Sequence, residues 1–166
     1  MLKKILKTLI EIALIALVIY AFITLTHSVS LSEELWEAYV ICQPDDYVNV
    51  RYQPNKRSQV VGYVEGGDWI LIDGTERNGF IKCYEIGEYG EGWIHKGYVV
   101  YDEPVRVNRM AFSVSRTRVA CRRWIDGKVR KWLKNLDEVM VYWWSFDWCV
   151  TNKGFVKTEY LEMEGT

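Results

Sequence analysis

The sequence predicts a mainly β protein: two small tandem β-barrels preceded by one N-terminal transmembrane helix. Three observations in the 166-residue chain lead there. The first is an apolar run, Ile12 to Thr26, behind a basic head of Lys3, Lys4 and Lys7. The second is a succession of short alternating runs separated by Gly, Asp and Asn turns. The third is internal repetition. Val48-Asn49-Val50-Arg51 is answered by Val119-Ala120-Cys121-Arg122, and Val60 to Asp68 by Val129 to Asp137. Phe80-Ile81-Lys82-Cys83 is answered by Trp148-Cys149-Val150-Thr151, and Gly92 to Val99 by Gly154 to Leu161. Anchors in one order at nearly one spacing predict two copies of a single unit.

The N-terminal segment, residues 1–30, comes first. With Leu9 and Ile10 added, its apolar run is long enough to cross a hydrocarbon core of about 30 Å, interrupted by Glu11 near one end. Lysines before the run and Glu33, Glu34 and Glu37 after it orient the chain with its C-terminal part outside the cytoplasm. Two fates stay open: a single-pass anchor in the cell membrane, or a signal cut after Ser28-Val29-Ser30 and a secreted product.

Residues 31–103 form the first predicted barrel with its entering segment. Glu37 to Cys42 reads as an entering strand, and Gln43 to Asp46 as a turn. Tyr47 to Tyr52 alternates, with Val48 and Val50 on one face and Asn49 and Arg51 on the other. A polar loop, Pro54 to Ser58, leads to a strand at Val60 to Val64 and a tight turn at Glu65-Gly66-Gly67-Asp68. Strands at Trp69 to Asp73 and Phe80 to Glu85 follow, then a glycine-rich turn from Gly87 to Gly92. Trp93-Ile94 closes the unit, with a single helical turn at His95 to Tyr98 before a final short strand. Five or six strands without a long helix predict a small barrel. Residues 104–166 form the second.

Charge divides between the two. Residues 31–103 carry 6 basic and 14 acidic side chains, a net of −8, and residues 104–166 carry 12 and 7, a net of +5. Between Arg106 and Lys134, ten basic side chains accompany one acid, Asp126. That stretch, interleaved with Trp124 and Trp132, suits an anionic polymer or phospholipid headgroups. A solvated face that neutralises the acidic first unit is the more ordinary explanation. Nucleic acid fits poorly with an exported, net-acidic region.

All four cysteines fall after residue 30, where disulfides persist. Cys42 with Cys83 and Cys121 with Cys149 would each lie inside one unit; free core thiols are the alternative. No metal or cofactor is expected, because no Cys-x-x-Cys clip is present and His27 and His95 stand alone. Catalysis is not expected either. Only His95 accompanies the cysteines of the folded region, and no phosphate loop or nucleophile elbow occurs.

The first unit resembles the bacterial Src-homology-3-like (SH3b) domain over about residues 39 to 100. The residues that carry the resemblance are Asn49-Val50-Arg51 with Pro54, Gly67-Asp68, Phe80-Ile81-Lys82-Cys83, Gly92-Trp93-Ile94 and Tyr98-Val99. About residues 110 to 162 resemble a diverged copy, in which Ala120 replaces the Asn and no Pro follows Arg122. The resemblance implies binding without chemistry, directed at cell-wall peptidoglycan or an associated anionic wall polymer. The alternative is a protein–protein interaction subunit of a membrane or envelope complex. Exposed rings are the candidate ligand contacts: Tyr52, Trp69 and Trp93 in the first unit, Trp124, Trp143 and Trp144 in the second. Tyr142 to Trp148 holds five aromatics in seven residues, and alternation can bury only about half of them.

Overall fold

The computed structural model describes residue 15 and residues 34–86 and 90–165. Among the described residues no helix is long and apolar enough to cross a membrane. The anchor or signal expected at residues 1–30 lies outside them, apart from Ile15, as does part of the glycine-rich turn, residues 87–89.

Leu35–Thr166 forms one compact unit built from two antiparallel sheets, so the chain is mainly β. The first sheet contains β1 (Trp36–Val40), β2 (Tyr47–Arg51), β3 (Val60–Glu65), β4 (Trp69–Arg77), β5 (Phe80–Tyr84), β6 (Glu91–His95) and β7 (Val99–Val100). The second contains β8 (Val105–Ser113), β9 (Val119–Arg122), β10 (Val129–Leu133), β11 (Glu138–Trp144), β12 (Trp148–Thr151), β13 (Gly154–Lys157) and β14 (Leu161–Met163). Their orders are β3-β2-β6-β5-β4-β1-β7 and β10-β9-β13-β12-β11-β8-β14. Adding seven to each label of the first reproduces the second, so the repetition in sequence is a repetition of topology. Each sheet has seven strands where the alternation indicated five or six. The short β7 follows the helical turn, where a final short strand is expected, while the long β8 carries too little two-residue periodicity to stand out.

Why each sheet curls follows from its core. All seven strands of the first sheet send side chains into one cluster, from Ala38 and Val50 through Ile72, Ile81 and Ile94 to Val99. A flat sheet of that many strands would be about 29 Å wide, and its edge residues could not meet. In the second sheet Ala111, Cys121, Leu133, Val139, Val156 and Leu161 do the same. Register is shared as well. Ala38 faces Ile70 across β1 and β4, and Ala111 faces Val139 across β8 and β11. The turn before β4 has its carboxylate at Asp68, which accepts from the Glu65 N–H at 3.1 Å; Asp137 accepts from the Lys134 N–H at 2.8 Å.

The four cysteines are buried free thiols, and neither expected disulfide forms. Cys42 follows β1 and Cys83 lies on β5, with β4 between those strands; β13 likewise separates Cys121 on β9 from Cys149 on β12. Two strand spacings amount to about 9.6 Å, beyond the reach of a disulfide at roughly 7 Å between Cα atoms. Three thiols have hydrogen-bond partners of their own: Cys42 with the Asp46 carbonyl (3.3 Å), Cys83 with the Gly92 carbonyl (3.5 Å) and Cys149 with the Thr158 hydroxyl (3.3 Å).

A third apolar cluster joins the lobes. Ile41 and Val100 of the first meet Trp148, Val150 and Phe155 of the second. Backbone and side-chain bonds cross the same seam: Ile125 N–H to the Gly97 carbonyl (2.8 Å) and the Gln43 amide to the Thr151 carbonyl (3.0 Å). The junction is not symmetric. The second lobe uses the outer face of β12 and β13, where Val150 and Phe155 stand opposite each other. The same positions on β5 and β6 are Lys82 and Trp93, and Lys82 pairs with Glu91 at 3.0 Å.

Candidate functional site

A cleft of about 320 Å³ opens where the lobes meet. Alternation on β2 turns Asn49 and Arg51 outward to form one wall, while Val48 and Val50 stay in the core. Phe80 from β5 and His95 from β6, which are cross-strand partners, form the second wall. Tyr98 closes the end on a one-turn 3-10 helix, Lys96–Tyr98. Arg123 and Trp124, from the loop after β9, supply the third wall, so the second lobe completes a site of the first.

Rings set the shape of this cleft. His95 makes edge contacts with Phe80 (5.4 Å), Tyr98 (5.8 Å) and Trp124 (5.1 Å). Trp124 reaches this place because position 97 is glycine: a Cβ there would stand 2.4 Å from its ring. Two cations sit over the indole, with Lys56 Nζ at 5.1 Å and the Arg123 guanidinium at 5.5 Å from the ring centroid. Arg51 donates to the Ser58 carbonyl at 2.8 Å and braces the loop that carries Lys56. Asp46 is the one carboxylate against these three cations.

Protonation follows from burial. His95 is held below its usual range, first by burial and then by the charges of Lys56 and Lys96. Its Nδ1 accepts the Gly97 N–H at 3.2 Å, so the neutral ring is the form that caps the turn. Burial, aided by the Asp46 charge, pushes the Cys42 thiol up to about 11. Cys42 lines the cleft together with His95, yet that thiol stays protonated at neutral pH. Burial alone pushes Cys83 up to about 12.

The six rings singled out from sequence are not gathered together; only Trp124 lines the cleft. Tyr52 is exposed just beyond β2, outside the lining. Trp69 is 55 % exposed beside Tyr63 over a shallow depression on another face. Trp93 is half-buried on the outer face of β6, opposite Lys82. Trp143 lies across the lobe junction over the Gly66-Gly67 turn, where a Cβ on Gly67 (φ 97°) would come within 2.4 Å of its ring. Trp144 packs against the core of the second lobe. Phe146 of the same aromatic run is 83 % exposed, while Trp148 is buried. Lys56, Phe80, His95, Tyr98 and Arg123 were not among the sequence candidates. The repeat held a signal for three of them, since Phe80, His95 and Tyr98 match Trp148, Lys157 and Tyr160.

No family model matches this chain, and no curated protein matches it. Among solved structures it is similar to NlpC1 from Trichomonas vaginalis, at 14% identity and a TM-score of 0.34 over 78% of this chain and 46% of that one. NlpC2 from Trichomonas vaginalis is similar at 14% identity and a TM-score of 0.35, over 78% of this chain and 48% of that one. The chain spans about half the length of these structures, and likeness at that level does not bear on its function.

Proposed function

We propose that this chain is a non-catalytic binding protein of two SH3-like lobes, residues 31–103 and 104–166, held at the outer face of the cell membrane by residues 1–30. Its ligand is the peptide part of cell-wall peptidoglycan, bound in the cleft at the lobe junction. The observation that carries this reading is the pairing of ring walls (Phe80, His95, Tyr98, Trp124) with a cationic rim of Arg51, Lys56 and Arg123. Carboxylates of a short peptide meet the cations, and its aliphatic parts lie against the rings. The motif resemblance of residues 39 to 100 points the same way. Binding rather than catalysis agrees with the raised thiols, which leave no ready nucleophile beside His95. Confinement at the membrane raises the effective concentration against the wall, so a modest single-site affinity suffices.

The test is co-sedimentation of the full chain with purified sacculi. Lys56→Gln with Arg123→Gln, both at the rim, is expected to weaken retention about tenfold while leaving the melting temperature in place. Absence of retention for the unaltered chain would reject the reading. An envelope protein partner is the second reading, favoured by Phe146, which stands 83 % exposed. Capture of one defined exported protein, lost in Phe146→Ser and accompanied by no sacculus binding, would establish it instead.

A further inference from the structure

The second lobe has a cleft of its own at the duplicated place. About 250 Å³ in volume, it is lined by Arg122, Trp148, Lys157 and Tyr160, at the positions that Arg51, Phe80, His95 and Tyr98 hold in the first. Even the bracing bond is repeated, with Arg122 donating to the Gly127 carbonyl at 2.8 Å as Arg51 donates to Ser58. The chemistry has changed. Ala120 replaces Asn49 on the floor, and Lys157 replaces the neutral His95. Trp132, across the strand pair from Ala120, is 52 % exposed. Arg118 adds a third cation, and Asp126 is the one acid in the lining.

We infer that this second cleft binds a linear polyanion of phosphodiester-linked polyol units. The surrounding cations are free to take it: among the described residues, none of Arg116, Arg118, Arg130, Lys131 and Lys134 forms an ion pair. Neutralisation of the acidic first lobe therefore does not occupy them through direct contact. Lys157 has only a long contact with the exposed Glu159, at 3.8 Å. Guanidinium groups suit phosphate oxygens through paired N–H donors. Arg118 and Arg122 flank Ala120, and the indole of Trp132 beside that small floor offers an apolar surface to the carbons between phosphates. Stacked bases need a run of exposed rings along the strand; here Trp148 is buried, and the two exposed rings, Trp132 (52 %) and Tyr160 (36 %), come from separate elements, β10 and the 3-10 turn after β13. A concave lining also favours a strand over a flat bilayer. The inference stands on the second lobe's own residues and does not depend on the ligand of the first.

The experiment is calorimetric titration of the full chain with a synthetic glycerol-phosphate hexamer at 50 and 200 mM salt. Contact with three phosphates predicts a loss of affinity of about 20-fold over that range. Arg118→Gln with Lys157→Gln is expected to weaken binding at least tenfold with an unchanged melting temperature. Arg57→Gln with Arg77→Gln, which removes equal charge from the first lobe, is expected to leave it within twofold. No binding, binding indifferent to Arg118 and Lys157, or tighter binding of a thymidine hexanucleotide would each overturn the inference. Sacculus retention dependent on Lys56 and Arg123 is read separately, so either proposal can fail alone.

Discussion

His95 does two jobs with one ring: it caps the 3-10 turn through Nδ1 and forms a wall of the cleft. Burial and the nearby Lys56 and Lys96 lower its proton affinity in the folded chain, while the unfolded chain keeps the ordinary value of 6.5. Below pH 6.5 the unfolded state therefore gains a proton that the folded state refuses, until the lower folded value is reached. Stability from neutral His95 is complete above this window and falls as pH drops through it. Thermal melts from pH 7.5 to 5 are expected to show this decline, and His95→Asn, which keeps an acceptor at the cap, is expected to flatten it. The cysteines permit a second check. With thiols raised to about 11 or 12, roughly one part in a thousand or less is thiolate at pH 8. Native protein is expected to react negligibly with a thiol reagent and to release four equivalents of signal on denaturation. A denatured count of zero would restore the two disulfides.

At the scale of elements, the turn Lys96–Tyr98 meets the second lobe directly, the Gly97 carbonyl accepting from the Ile125 N–H at 2.8 Å. Gly97→Ala would place a methyl 2.4 Å from the Trp124 ring, so the indole or the loop after β9 must move. Overpacking of this kind costs about 1–3 kcal/mol, which for a unit of this size lowers the melting temperature by several degrees. Cleft binding is expected to weaken with it, because the displaced side chain is a wall of the site. An unchanged melting temperature would place Trp124 elsewhere. The same contact explains which elements could be read beforehand. Val48 and Val50 inward with Asn49 and Arg51 outward is a local alternation and has the expected phase; Trp69 is exposed as expected, next to the buried Ile70 and Ile72 of the same alternation. The junction is a meeting of distant segments. Nothing in the residues around Trp124 records Gly97, and nothing around Trp143 records Gly66 and Gly67. Local alternation therefore marks Trp124 and Trp143 as exposed rings, where the fold uses both as mortar between lobes.

Considered whole, Leu35–Thr166 is a single compact unit even though its topology repeats. Phe155 lies in the shared cluster, 2 % exposed, with its ring 5.8 Å from Tyr98 of the first lobe. Calorimetry of the chain is expected to show one transition for both lobes. Phe155→Ala, which removes about 3–5 kcal/mol from a buried ring, is expected to lower that transition or divide it into two. Two transitions in the unaltered chain would mean that the lobes fold independently.

The lopsided seam between the lobes has one more effect. Identical units stacked head to tail have no natural last member, and such contacts grow into fibres unless something halts them. The first lobe's copy of that seat carries the ammonium of Lys82, held by Glu91, and the second lobe has Val114 and Glu162 where the first has Ile41 and Val100. Both ends of the pair thus carry a charge where the shared seam is apolar, and the stack stops at two.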